Sequence, residues 1–429
     1  MKKCFNAYGN WRLREEFGIV INMDLDLVEL NRWLEGFMNF ERLPNKSMLK
    51  LETMRVLCDE FGRPERSCPC FHVAGSKGKG TIAATTAAML TEAGYKVGVY
   101  ASPHVRHFTE RVSLNGKPFA AEIYDAAFAE LRAGIERIVA EGKLKRAVIT
   151  WYELVTVFAM LCFRKAEVDY AVYEVGMGGR LDATNVVQPD CVMMGLIELE
   201  HTKYLGDTLE KIATEKAGVF KKGVPVVSVM QDAKVMKVFQ KFATEKGIEV
   251  TYVSKGAYYE EDVWVAKEAM KKVVPEISEE MLDVAVGKVY LPGRYEWVRN
   301  VLIDGAHTVK SIEAVLARMK ADGVTGDLLF GCAADKNVER MAEEIVHSGM
   351  FRKIYLTRPG DFKKADLERM VRAFTAAELK ELRNDTICVD GDYKRLISEA
   401  IREAEGRTLV VLGSFYLAGE AKKTLEAYA

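Results

Sequence analysis

The strongest constraint on the fold is the run Phe71-His72-Val73-Ala74-Gly75-Ser76-Lys77-Gly78-Lys79-Gly80-Thr81, which passes directly into Ile82-Ala83-Ala84-Thr85-Thr86-Ala87-Ala88-Met89-Leu90. A short apolar stretch feeds a glycine-rich turn, and the turn opens an alanine-rich segment with helical spacing. This is the layout of a phosphate cradle. Glycines at 75, 78 and 80 let backbone N–H groups close on an anion, and the helix N-terminus adds partial positive charge. Lys79 is the candidate for reaching the terminal phosphates, and Thr81 a candidate phosphate or metal contact. The match to Gly-x4-Gly-Lys-Ser/Thr is imperfect, since Val73 stands at its first glycine and Gly80 separates Lys79 from Thr81. An ordinary strand-to-helix turn is the competing reading. Three glycines and two lysines between residues 75 and 80 weigh against it.

With 429 residues, 49% of them hydrophobic, the chain has material for two or three domains, since single cores rarely grow past ~250–300 residues. A net charge of −1 gives no support to a general nucleic-acid or membrane-surface role. Eight cysteines are scattered, only Cys68-Pro-Cys70 lies close-set, and no second pair stands at zinc-site spacing, so they read as reduced buried thiols. No signal-type apolar run follows Lys2-Lys3, and no stretch reaches the ~20 apolar residues that span a bilayer. The expected location is the cytoplasm, and the expected state a monomer with neither nucleic-acid nor membrane partners. Residues 1–23 read as an appendage, with Met23 an alternative start.

From Asp24 to about Glu60, Leu27, Leu30, Trp33, Leu34, Phe37 and Met38 recur at helical spacing, with a break near Pro44-Asn45. The helix after the phosphate turn is expected to end at Gly94. Strands are expected at Lys96–Ala101, Tyr170–Tyr173, Cys191–Ile197 and Pro225–Val229, and helices over 121–140 and 150–165. A further helix is expected to begin at Asp207, with Glu210 at capping-box spacing, and to close at Glu215-Lys216-Ala217-Gly218. The pattern breaks around Leu291–Glu296, and a fresh series of strands and helices starts at Val301-Leu302-Ile303-Asp304. This alternation predicts an α/β chain built on parallel sheet, as an ATP-binding domain over 24–296 and a smaller α/β domain over 297–429. Polar residues fall where apolar strands end, the edge at which ligands bind in open α/β sheets, so Ser102, Glu174 and His201 are expected to converge beside Lys79.

The residues also carry a family resemblance. His72–Thr81, Ser102-Pro103-His104, Glu174-Val175-Gly176-Met177-Gly178-Gly179-Arg180-Leu181-Asp182-Ala183-Thr184-Asn185, Glu215–Gly218, Pro292-Gly293-Arg294, Asp304-Gly305-Ala306-His307 and Gly413-Ser414-Phe415-Tyr416-Leu417 occur in order. Together they resemble the folylpolyglutamate synthase/dihydrofolate synthase branch of the Mur ligase superfamily, over roughly 25–429. The resemblance implies a Mur-ligase-like fold, with a P-loop ATPase domain followed by a Rossmann-like domain. It implies an ADP-forming ligase that joins L-glutamate to a folate or dihydropteroate carboxylate through an acyl phosphate. ATP and two Mg2+ ions are its implied cofactors. Gly75, Gly78, Lys79, Gly80 and Thr81, with Arg294 and Asp304, fall on its ATP contacts, and Ser102, Glu174 and His201 on its magnesium ligands. Lys216 falls on a lysine carried as a carbamate, and His307 and Ser414 near glutamate binding and acyl transfer. Leu181, Asp182 and Ala183, with Glu153 and Thr156, border the implied pterin site. Closure of the second domain over the first is expected, to keep water from the acyl phosphate.

Four departures bear on the acceptor. Ser76-Lys77 replaces the usual Thr-Asn, Glu200-His201 the usual Asp-His, Thr308 an asparagine, and Met48–Glu52 lacks a glycine-containing signature. Lys77 either tightens ATP binding or reshapes the pterin wall. A ligase acting on some other carboxylate therefore stands as the alternative, and a phosphate-loop ATPase or kinase as the reading from another class.

Overall fold

The computed structural model describes residues 27–39, 51–254, 258–380, 386–404 and 406–427. The expected appendage, the break at Pro44-Asn45 and the first part of Met48–Glu52 lie outside these residues. The chain divides into two compact units, one ending at Tyr290 and the next beginning at Leu291.

Among the described residues the first unit holds seven strands: β1 Cys70–Ala74, β2 Val97–Tyr100, β3 Val112–Leu114, β4 Tyr170–Glu174, β5 Cys191–Met194, β6 Val226–Val229 and β7 Val250–Val253. Their order is β3-β2-β4-β1-β5-β6-β7, parallel throughout except for the β2–β3 hairpin. The chain lays β2 and β4 to one side of β1 and β5 onward to the other. The carboxyl end of β1 is therefore the switch point, where an α/β sheet opens a crevice for ligands.

Burial explains the run-like strands. Every residue of β1 is buried, because helices cover both faces and leave no solvent side to alternate with. The helix Lys79–Glu92 packs in one core layer with Tyr258–Val273 and Glu279–Val286. The helix Trp151–Lys165 is apolar nearly all round and sits in the core on the other face. Gly98 on β2 makes room for the Phe163 ring, which an added Cβ would meet at 2.6 Å.

The second unit holds β8 Glu296–Val298, β9 Val301–Ile303, β10 Gly326–Phe330, β11 Phe351–Leu356, β12 Thr386–Val389 and β13 Leu409–Leu412, in the order β12-β11-β10-β13-β9-β8. All pairs are parallel except the β8–β9 hairpin. Its own apolar core lies against this sheet.

The helix expected to start at Asp207 starts instead at Leu209, with Thr208 as its N-cap accepting from the Lys211 N–H. Asp207 is drawn off by the Lys211 ammonium at 2.7 Å, which leaves the threonine hydroxyl as the cap. The described cysteines are all free thiols. Among the described residues no helix is long and apolar enough to cross a membrane.

Candidate active site

The phosphate turn grows out of β1. Gly75 takes φ +148° and Gly78 φ +82°, values that favour glycine. The Ser76 and Lys77 N–H groups donate to the Leu196 carbonyl at 2.8 and 3.0 Å, which ties the turn to the exit of β5. A side chain at Gly195 would collide with the Lys77 carbonyl, and one at Gly78 with the Asp262 carboxylate. The helix begins at Lys79 with no side chain capping it, so its first N–H groups remain available to an anion. Lys79 folds back over the turn and donates to the Gly75 carbonyl at 3.1 Å.

A second lysine reaches the same carbonyl from another element. Lys216, one residue before the end of helix Leu209–Ala217, is 1% exposed, and its Nζ lies 2.8 Å from Gly75 O and 2.8 Å from Glu200 Oε1. Burial pushes the Lys216 ammonium down to about 8, against the opposing pull of Glu200. Burial by itself raises the Glu200 carboxyl. The charges of Lys216 and Lys79 overcome that effect and hold it near 2. His201, beside Glu200, is exposed at φ +46° and adds to the same field.

Glu174 ends β4 as a buried carboxylate and accepts the Ser102 N–H at 3.0 Å. Ser102 and Glu174 are thus brought together, and so are Gly75, Lys79, Lys216 and Glu200 with its neighbour His201. Among the described residues no three His, Cys, Asp or Glu side chains form a ready-made metal cage. Separate oxygen donors such as Glu174 and Ser102 suit magnesium, which keeps several waters and takes its other ligands from phosphate.

The loop after Glu174 is locked from within. Asp182 Oδ2 accepts the Gly176 and Met177 N–H groups at 3.1 and 3.0 Å, and its Oδ1 accepts from Thr184 N and Oγ1. Arg180 N donates to Glu215 O at 2.7 Å and its guanidinium pairs with the Glu215 carboxylate, binding the loop to the helix of Lys216. Leu181 is half-buried, and Ala183 belongs to the core. Glu153 and Thr156 are engaged inside their helix region. Glu153 accepts from Thr150, and the Thr156 hydroxyl donates to the Tyr152 carbonyl at 2.8 Å and lies 3.0 Å from the Tyr100 hydroxyl.

In the second unit, Asp304 ends the strand run of β9 and accepts the Tyr295 and Ala306 N–H groups, each at 2.8 Å. Burial raises its carboxyl, with Arg294 as the main opposing charge. Arg294 lies over the Phe415 ring at 4.4 Å, and the His307 ring meets the same phenylalanine edge-on. His307 Nδ1 lies 2.8 Å from Gly305 O, and Ser414 Oγ accepts the Tyr416 N–H. Arg294, Asp304, His307 and Ser414 thus gather around one strand edge. Asp304 does not cap the following helix. Thr308 does, paired with Ser311, so the departure at that position supplies a cap.

Two residues here escape sequence reasoning. Gln231, buried just past β6, accepts from Ile197 N at 3.0 Å and donates to Gly195 O at 2.9 Å and Ser228 Oγ at 3.1 Å. It clamps the segment leading to Glu200 and His201, and the sequence marks it in the same way as Glu174, by a polar group just past a strand end. Asp262 lies in a helix, where nothing in the sequence pattern aims it at Gly78.

Comparison with known proteins agrees with this architecture. The Mur ligase middle domain model matches residues 73–304, and the Mur ligase glutamate ligase domain model matches residues 293–415. A Bacillus subtilis dihydrofolate synthase/folylpolyglutamate synthase is 28% identical, over 92% of this chain and 98% of its own. The Escherichia coli protein described in the same words is 32% identical, over 70% of this chain and 75% of its own. A solved structure of Escherichia coli FolC in complex with DHPP and ADP superposes with a TM-score of 0.78 at 26% identity, covering 93% of this chain and 98% of the other. With its glycine turn, its Glu174 loop and both matched domains in register, the chain belongs to the folylpolyglutamate synthase/dihydrofolate synthase branch of the Mur ligase family.

Proposed function

We propose that the protein is an ATP-dependent, ADP-forming ligase that joins the amino group of L-glutamate to the carboxylate of a folate or dihydropteroate. The observation that carries this reading is the convergence of Lys79 and Lys216 on the Gly75 carbonyl, inside a glycine turn at the sheet's switch point. Phosphoryl transfer needs positioning and charge neutralisation more than covalent help from the protein.

In this reading the acceptor carboxylate attacks the γ-phosphorus of ATP, ADP leaves, and an acyl phosphate results. The glutamate amine then attacks the acyl carbon, phosphate departs with the C–O bonding pair, and the amine loses its proton. Gly75, Gly78, Gly80 and Thr81 hold the phosphates, and Lys79 neutralises the charge that develops on them. Ser102, Glu174 and His201 hold magnesium, which supplies further charge neutralisation at the phosphates. Lys216 acts as an N6-carboxylated lysine supporting a second ion. Its burial favours the neutral amine that addition of CO2 requires. Arg294 and Asp304 contact ATP, His307 and Ser414 serve glutamate and acyl transfer, and Leu181, Asp182 and Ala183 border the acceptor. Residues 24–296 are the ATP and acceptor domain, 297–429 the glutamate ligase domain, and the whole works as a cytoplasmic monomer.

The test is glutamate-dependent ADP release with dihydropteroate and with tetrahydrofolate as separate acceptors. Stimulation by either, with an amide product, supports the reading, and none by either removes the folate assignment. Lys77 and Glu200 favour one second reading, the same ligation on another carboxylate. A metabolite panel scanned for ATP-dependent mass gain separates the two.

A further inference from the structure

Behind the Glu174 loop lies a histidine that the proposed chemistry does not use. His72 is the middle residue of β1, fully buried, with Nε2 at 2.8 Å from Thr184 Oγ1. The Thr184 hydroxyl also lies 2.6 Å from Asp182 Oδ1. Asp182 in turn collects the N–H groups of Gly176 and Met177 on its other oxygen, two and three residues beyond Glu174. The central strand is therefore wired, through three side chains, to the turn that leaves Glu174.

Chemistry fixes the direction of each bond. Burial raises the Asp182 carboxyl, but three backbone N–H groups and the Thr184 hydroxyl converge on its two oxygens and favour the ionised form, which only accepts, so the Thr184 hydroxyl donates its single proton to Asp182. Toward His72 the same oxygen can then only accept, so Nε2 carries the imidazole proton. Nδ1 is left as a bare lone pair, and it is buried without a hydrogen-bond partner. The other tautomer would strand an N–H in the core and leave two lone pairs facing each other at Thr184. Burial, with the nearby Lys221 charge adding to it, drives the imidazole down to about 3, so the ring stays neutral. A neutral donor also suits the place. A lysine or arginine here would add positive charge behind residues proposed to hold magnesium.

We propose that His72 is a positioning residue for the ligase reaction, its Nε2–H setting Thr184 and Asp182 and through them the turn beyond Glu174 and the acceptor-side loop. The proposal rests on the ligase reading above. It goes beyond that reading by giving a role to a residue that touches neither nucleotide nor acceptor.

The test uses the full-length protein. His72→Gln keeps a side-chain N–H where Nε2 stands, and His72→Met keeps the bulk without a donor. In His72→Met, kcat with the preferred acceptor falls at least tenfold or the acceptor KM rises by that factor, while the dissociation constant for Mg-ATP stays within twofold. His72→Gln recovers most of the loss. Thr184→Val reproduces His72→Met, and the double variant is no worse than either single, because the residues act as one chain. 15N-labelled histidine spectra show the Nε2–H tautomer for His72, unchanged from pH 5.5 to 8. An Nδ1–H tautomer, a ring titrating in that interval, wild-type kinetics in His72→Met, or His72→Gln no better than His72→Met each overturn the proposal. Should His72→Met not fold, Thr184→Val against Thr184→Ser carries the same comparison. An inactive wild type with every acceptor is a failure of the ligase reading instead, and the tautomer measurement stands without any acceptor.

Discussion

At the scale of single residues, Lys79 and Lys216 share one carbonyl but differ in setting. Lys79 starts a helix beside the phosphate turn, and Lys216 is sealed against Glu200. Lys79→Ala removes one donor from the phosphates. Loss of a single such donor costs roughly 10²–10³ in turnover, so ADP release should fall by that order. Lys216→Ala abolishes turnover, and a short carboxylate such as acetate restores part of it if the lysine works as a carbamate. Unchanged activity without additive contradicts the role. The motifs made most of these residues legible from sequence. They could not reveal the Lys216–Glu200 pair, because a helix end and a strand exit sixteen residues apart meet only through the fold. Nor could they reveal Asp262, whose approach to Gly78 depends on how two helices pack.

At the scale of elements, the N-terminus of helix Trp151–Lys165 stores a pH dependence. Glu153 closes a capping box with Thr150, and burial pushes its carboxyl up to about 7. The folded chain then holds a proton that the unfolded chain releases near its ordinary value of 4.5. The unfolded state binds fewer protons in that interval, so stability falls as pH rises from about 4.5 to about 7, by up to about 3 kcal/mol. Glu153→Gln keeps the capping geometry without the charge. Its melting temperature should exceed wild type at pH 8, and the gap should shrink at pH 5. Long elements with strong periodicity were readable, as the helix Ala121–Ala140 and the buried strands show. The three strands that sequence reasoning missed are short. β3 and β8 are three-residue antiparallel arms, and β7 is an edge strand with only Val253 buried. The two-residue β8–β9 turn, Arg299-Asn300, places the arginine rather than the asparagine at positive φ, +56°.

For the whole molecule, two units with separate cores imply two unfolding transitions. Calorimetry should resolve them, and Mg-ATP at a hundredfold excess over its dissociation constant should add about 2.7 kcal/mol to what it binds. Lys79→Ala should lose most of that gain. A single transition indifferent to nucleotide contradicts the picture.

On the proposed function, distant strand ends assemble one site that spends ATP to make an amide. The most direct measurement follows ADP and product mass together, with glutamate present and absent, for dihydropteroate and tetrahydrofolate. One ADP is expected per product, each product heavier than its acceptor by one glutamate less water. ADP released with no amide formed would contradict it.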